Sequence, residues 1–339
     1  MKQLCLVLLP GLLLAQEAAT APPAPEKKTR QRIVRPGVDT PGVKRDMDAI
    51  QPAAQFSLPG VPDWQTVTDD AVWVSNGPKN TLHRLDVKTN TVAASIQVGT
   101  RPCSGLAAGF GSIWVPLCGA RPSGEGKGLA RVDIATNKVL ATIPVGPADS
   151  EGGLTVSPDA VWIVSDPAGK LSRIDPKTNS VVAEIPVPAG SVAAAYGEGY
   201  VWVTANQSAQ LIQIDAKTNK VVKEIAVGPN PRFLTYGGGS VWTVNQGDGT
   251  VTRVKASTGV LEATIQAGIP GPGGEVSYGG GGLWVTVFDI PITFIDGSTN
   301  TVTKQWVGPG GDAIRYGHMS VWLSNLRQQN VWRIDAKQL

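Results

Sequence analysis

A tryptophan preceded by Val, Ile or Leu recurs at Trp73, Trp114, Trp162, Trp202, Trp242, Trp284 and Trp322, at spacings of 41, 48, 40, 40, 42 and 38 residues. Self-similarity at such a period restricts the chain to repeat architectures, because a unit of this size cannot bury its apolar face without a neighbour. A second landmark follows each Trp. It is a basic-apolar-acidic triplet or a variant of it, ending at Asp86, Asp133, Asp175, Asp215, Lys255, Asp296 and Asp335. The distance from Trp to this landmark is 13 residues in five units, 12 in the sixth and 19 in the second. The extra residues of the second unit fall in PLCGARPSGEGKG, residues 116–128.

Within the unit 231–268, four β-prone runs, FLTY, SVWTV, TVTRV and VLEATI, alternate with turn residues. They are denoted strands A to D. Four antiparallel strands in about 40 residues is the blade signature of a β-propeller, so the fold class expected is all-β, a seven-bladed propeller of four-stranded antiparallel blades. The turn between C and D reads Asp-x-Lys-Thr-Asn at 86–90, 175–179 and 215–219 and closes with Gly259 in the fifth unit. Asn and Gly are the residues that enter the left-handed conformation such a bulged hairpin needs. The recurring tryptophans sit mid-strand between β-branched residues, which assigns them to packing between blades rather than to ligand stacking. The seventh unit has A (AIRYG), B (VWLSN) and C (VWRID) but ends at Leu339 before a fourth strand. Phe56-Ser57-Leu58-Pro59 matches the D-strand segment Ile185-Pro186-Val187-Pro188 in sequence and in lying 17 residues before a strand-B tryptophan, Trp73 and Trp202 respectively. Residues 53–59 are therefore expected to complete the last blade and remove its open edge.

Units such as GSVWTVN, LSRIDPKTNSVVAEIPV and LIQIDAKTNKVVKEIAVG resemble the YVTN-type repeat family of β-propellers and are similar to the repeats of the virginiamycin B lyase group. The resemblance covers about residues 53–339. It implies the propeller fold, while relatives range from surface proteins and binding scaffolds to a nucleic-acid binder and a metal-dependent eliminase that uses histidine and glutamate. This chain has only His83 and His318. By repeat alignment His83 lies in strand C and His318 in the turn between A and B, away from the place where that eliminase's chemistry would be expected.

The first residues, MKQLCLVLLPGLLLA, carry one cation and an apolar stretch too short to span a bilayer. Residues 1–21 are read as a signal peptide, which makes the mature protein periplasmic or secreted, without a transmembrane segment. Residues 22–52 are rich in Pro, Ala and basic side chains and lack apolar periodicity, and are read as a mostly disordered tether preceding the propeller at 53–339. Beyond residue 45 the chain holds 22 basic and 24 acidic residues. Near-neutrality over the propeller counts against a broad nucleic-acid or anionic-membrane surface.

In a propeller the D-to-A connections and the B-to-C loops emerge on one face, around the central channel. Counting back about ten residues from each Trp places Asp63, Ser104, Glu151, Val192, Arg232, Glu275 and Asp312 near the channel mouth, with Trp64 and Phe233 beside them. Asn76, Asp166, Asn245 and Asn325, just after their tryptophans, are expected to rim the same face. Carboxylates and amide oxygens from several blades could hold Ca²⁺ or Mg²⁺; with no ligand they are solvated loop charges. Cys103 and Cys118 fall at the start of strand A and the end of strand B of one unit. Pairing 108 with 113 puts them opposite each other, so a disulfide is expected in an exported protein. The reading as a whole is a monomeric, non-catalytic binding or scaffold propeller that takes a small molecule, glycan or protein at its mouth. The alternative is a metal-dependent lyase or lactone hydrolase using acids at the same place.

Overall fold

Each of the seven repeats becomes one antiparallel sheet with strands in the order A-B-C-D from the channel outward. The computed structural model describes residues 35–339, so the expected signal peptide and the first part of the tether lie outside the described residues. Unit 231–268 forms strands Pro231–Gly237, Ser240–Asn245, Thr250–Lys255 and Val260–Gln266. In the last blade, Ala54–Ser57 pairs antiparallel with Asn330–Asp335, which closes the ring with an N-terminal strand.

The repeat's chemistry explains its regularity. All seven tryptophans of strand B are buried. The indole N–H of each would be stranded there, and it donates to the residue five positions earlier in the chain. The acceptor is the carbonyl of Gly109, Gly197, Gly237, Gly279 or Gly317, or the hydroxyl of Thr68 or Ser157. At the C-to-D turns, Asp86, Asp175, Asp215 and Asp296 accept hydrogen bonds from backbone N–H groups within the turn. Asn90, Asn179, Asn219 and Asn300 hold the left-handed position, with φ between 54° and 58°.

The basic residue of the triplet links blades. Arg84, Arg131, Arg173, Arg253 and Arg333 lie over the tryptophan of their own blade at 4.6–5.4 Å. Each then donates to the turn Asn of the next blade, at Asn137, Asn179, Asn219, Asn300 and, across the ring closure, Asn90, at 2.8–3.2 Å. A planar guanidinium can stack and fork at once, which a lysine cannot. Where the fourth blade has Gln213 instead of Arg, the fifth has Gly259 instead of Asn, so donor and acceptor are missing together.

Two details differ from expectation. Residues 35–50, within the stretch read as a disordered tether, run against the propeller as a strap. Lys44–Asp46 adds a parallel fifth strand to the outer edge of the sixth blade, and Val43, Met47 and Ile50 are buried. Its few apolar residues are too widely spaced to register as a periodic pattern, and one edge strand needs only main-chain pairing. The Cys103–Cys118 disulfide is present with a Cα separation of 5.9 Å, but strand A of that blade is only Ala107–Gly109. The bridge Pro102↔Leu117 shows that the register has moved from the one that pairs Ala108 with Ile113. Left-handed Ser104 breaks the strand between them. No helix among the described residues is long and apolar enough to cross a membrane.

Candidate functional site

The D-to-A connections and the starts of the A strands deliver four carboxyl groups to one cavity of ≈ 290 Å³ at the channel mouth: Asp63 from the first blade, Glu151 entering the third, Glu275 from the sixth and Asp312 from the seventh. Trp64, Gly273, Gly274, Phe288, Ala313 and Leu326 complete its lining. Beneath it the channel is nearly filled. Trp64 and Phe233 approach to 6.1 Å between ring centroids, and a space of ≈ 50 Å³ lies beside them. Gly152 has φ +53°, and a Cβ there would lie 3.3 Å from the Trp64 ring, so the backbone leaves room for the indole.

The acids differ in environment. Glu275 reads from the sequence as an exposed loop charge, yet it is 3% exposed. One of its oxygens accepts the Ile314 N–H at 3.0 Å and the other meets the Arg315 guanidinium. Burial outweighs Arg315 and pushes the Glu275 pKa up to about 7. Asp63 and Asp312 share a hydrogen bond across the seam where the ring closes. Burial, then the neighbouring Asp312 charge, hold Asp63 well above the usual carboxylate range. Burial chiefly, with repulsion from Glu151, lifts Asp312 to about 7. Two carboxyls at hydrogen-bond distance in a desolvated place retain a proton between them. Glu151 is also raised by burial, although Arg232 beside it works the other way.

Asp63, Trp64, Glu151, Glu275 and Asp312 thus converge as the register count expects. Arg232 and Phe233 do not line the cavity. Arg232 flanks it, paired with Asp149 at 3.0 Å and Glu151 at 3.7 Å, and Phe233 lies deeper in the channel. The amide side chains are spent on the scaffold. Asn76 accepts from Val61 N–H and donates to Pro59 O. Asn325 accepts from Gly311 N–H and donates to Asn330, and Asn245 bonds Thr243, Thr250 and Thr252. All three are buried. Asp166 accepts from Ala168 N–H within its own loop. Ser104 and Val192 are buried too, and Ser104 accepts from Gly153 N–H. Asn76, Asp166, Asn245 and Asn325 are each the last residue of a B strand, where free backbone groups of the following loop compete for the nearest side chain.

His83 lies between Thr81 and Ser95 in strand C, and His318 meets the Thr68 carbonyl from an A-to-B turn. Both are remote from the mouth. Among the described residues no three His, Cys, Asp or Glu side chains are grouped so as to hold a metal ion. The wall formed by Phe288 and Leu326 escaped the sequence reading. Phe288 and Leu326 lie in the B-to-C loops of the sixth and seventh blades, where no repeat position marks them.

No family model matches the chain, and no curated protein matches it by sequence. Solved structures do. A streptogramin B lyase aligns with TM-score 0.66 at 18% identity, covering 82% of this chain and 95% of its own. Virginiamycin B lyase from Staphylococcus aureus aligns with TM-score 0.66 at 16% identity, covering 83% and 98%. Hydrazine synthase of Kuenenia stuttgartiensis aligns with TM-score 0.68 at 16% identity, covering 88% and 98%. At these identities the likeness establishes the fold alone.

Proposed function

We propose that this chain is an exported, non-catalytic binding propeller whose site is the channel mouth, and that it takes a small organic cation, an amine or quaternary ammonium ion. The observation that carries this reading is the convergence of Asp63, Glu151, Glu275 and Asp312 on one ≈ 290 Å³ cavity walled by Trp64, Phe288 and Leu326. Burying like charges together costs stability unless protons or a cation compensate, so such a cluster is a candidate site with a physical rationale. Carboxylates beside aromatic and aliphatic walls suit an ion with an apolar body better than a hydrated metal ion.

The test is calorimetric titration with a panel of monoamines, diamines and tetramethylammonium at pH 6.5. Binding should be accompanied by proton release, because the cation replaces the proton held between Asp63 and Asp312. The double variant Glu151→Gln with Asp312→Asn should lose both signals. If no member of the panel binds the wild type, the reading is wrong. A second reading, acid–base lyase or hydrolase chemistry, is favoured by the same Asp63–Asp312 pair, since two carboxyls in different protonation states can act as acid and base. Turnover of a lactone or ester that is abolished by Asp63→Asn would select it.

A further inference from the structure

We infer that Arg35, from the strap outside the repeats, is a positioning residue for the mouth: it ties together the two loops that form the wall of the cavity. The inference rests on the mouth being the ligand site. The Arg35 side chain is 5% exposed. One terminal nitrogen donates to the Pro272 carbonyl at 2.6 Å and the other to the Phe288 carbonyl at 3.1 Å. Pro272 immediately precedes Gly273 and Gly274, and these two glycines line the cavity together with Phe288. A single guanidinium therefore spans the D-to-A connection entering the sixth blade and the B-to-C loop of that blade.

The wall between these anchors is closely fitted. A Cβ on Gly273 would lie 2.9 Å from the Phe288 ring, and Arg327 sits over that ring at 4.6 Å. Movement of either loop would therefore change the face that a bound cation meets. The strap is held independently of Arg35. Gly37 N–H donates to Gly268 O and Val38 N–H to Gln305, while Lys44–Asp46 pairs along Gln305–Val307 and Met47 is buried. Attachment alone does not require an arginine at position 35. Burial lowers its pKa, a sign of the desolvation it pays, and the rigid fork holds two carbonyls in a way one ammonium cannot.

The experiment compares full-length wild type, Arg35→Ala, Arg35→Lys and the strap control Lys44→Ala, whose side chain bonds Pro36 O within the strap and touches neither loop of the wall. Backbone amide exchange should accelerate in Arg35→Ala over 271–274 and 286–290. The expected factor is roughly tenfold or more, as for loss of hydrogen bonds to a charged donor. Exchange at 44–46 and 305–307 should stay as in wild type. The Asp312 titration midpoint should fall, because the loosened wall admits water. Arg35→Lys should restore part of the protection, and Lys44→Ala should leave 271–274 and 286–290 unchanged. Unaltered exchange at the two loops in Arg35→Ala overturns the inference, as does acceleration spread evenly through the strap and sixth blade. Tetramethylammonium titrated into the same proteins should bind Arg35→Ala several-fold more weakly than wild type, and equal affinity also overturns it. Failure of the wild type to bind any amine instead sinks the proposed function, and the exchange arm then decides the role of Arg35 alone.

Discussion

Replacing Asp312 by Asn should stabilise the propeller at pH 8 and leave it nearly unchanged at pH 4. Burial chiefly, with repulsion from Glu151, holds the Asp312 pKa at about 7 in the fold, well above the ordinary aspartate value of 3.8. A carboxyl raised in this way makes its contribution to stability in full below about pH 4, and that contribution is lost as pH rises through about 7. At about 1.4 kcal/mol per pH unit, a titration moved from about pH 4 to about pH 7 sets a ceiling near 4 kcal/mol. Asp312 is half-buried, and the proton belongs to a pair with Asp63, so about 2 kcal/mol is the working expectation. For a chain of this length that is roughly 4 °C in Tm. The assay is thermal unfolding of wild type and Asp312→Asn at pH 4, 5, 6, 7 and 8, read as the difference between the two proteins so that other titrations cancel. The difference should open between pH 4 and 7 and then level off. A difference independent of pH, or a variant less stable than wild type at pH 8, would refute the claim that the mouth carboxyls are held together against their repulsion.

The remaining predictions concern the frame. Arg333→Ala removes the link from the last blade to Asn90 in the first and should cost about 2 kcal/mol in denaturant unfolding; no change would remove its role in ring closure. Gln213→Arg and Gly259→Asn together should install the missing link between the fourth and fifth blades. A double-mutant cycle should then give a favourable coupling of about 1 kcal/mol, and zero or unfavourable coupling would contradict the proposed pairing. Opening the Cys103–Cys118 bridge by Cys-to-Ser replacement at both positions should cost at most about 3 kcal/mol for its short loop. A chain beginning at residue 53 should melt below one beginning at 35, because it lacks the fifth strand and buried Met47, and one beginning at 62 lower still. Equal melting temperatures would show that neither N-terminal strand carries stability.

Several site residues could be located from the sequence because the repeat is its own ruler. Counting back from Trp73, Trp284 and Trp322 finds Asp63, Glu275 and Asp312 at the start of their A strands, since strand period and turn length are local properties. The same count misassigned Asn76, Asn245 and Asn325. It gives position along a strand, while the use of a side chain depends on which backbone groups the neighbouring loop leaves unpaired. Glu275 was placed correctly along the chain and wrongly in exposure, because its burial comes from the adjacent blade and Arg315.

What the sequence by itself determined is the blade: the Trp that fills it, the Asp and Asn that turn it, the number of copies and the N-terminal strand that completes the last one. These follow from hydrophobic periodicity and turn chemistry within about 40 residues. Only the tertiary structure decided what lies between blades and across the ring. The triplet arginines are visible as a repeat, but their reach to the next blade's Asn appears only when the sheets stand side by side. The strap 35–50 carries no periodic signal because it borrows its pairing and burial from the sixth blade. The cavity wall of Phe288 and Leu326 forms only where the sixth and seventh blades stand side by side, and Arg35 reaches it across 253 positions of sequence because the strap packs on the sixth blade, a distance that no local pattern encodes.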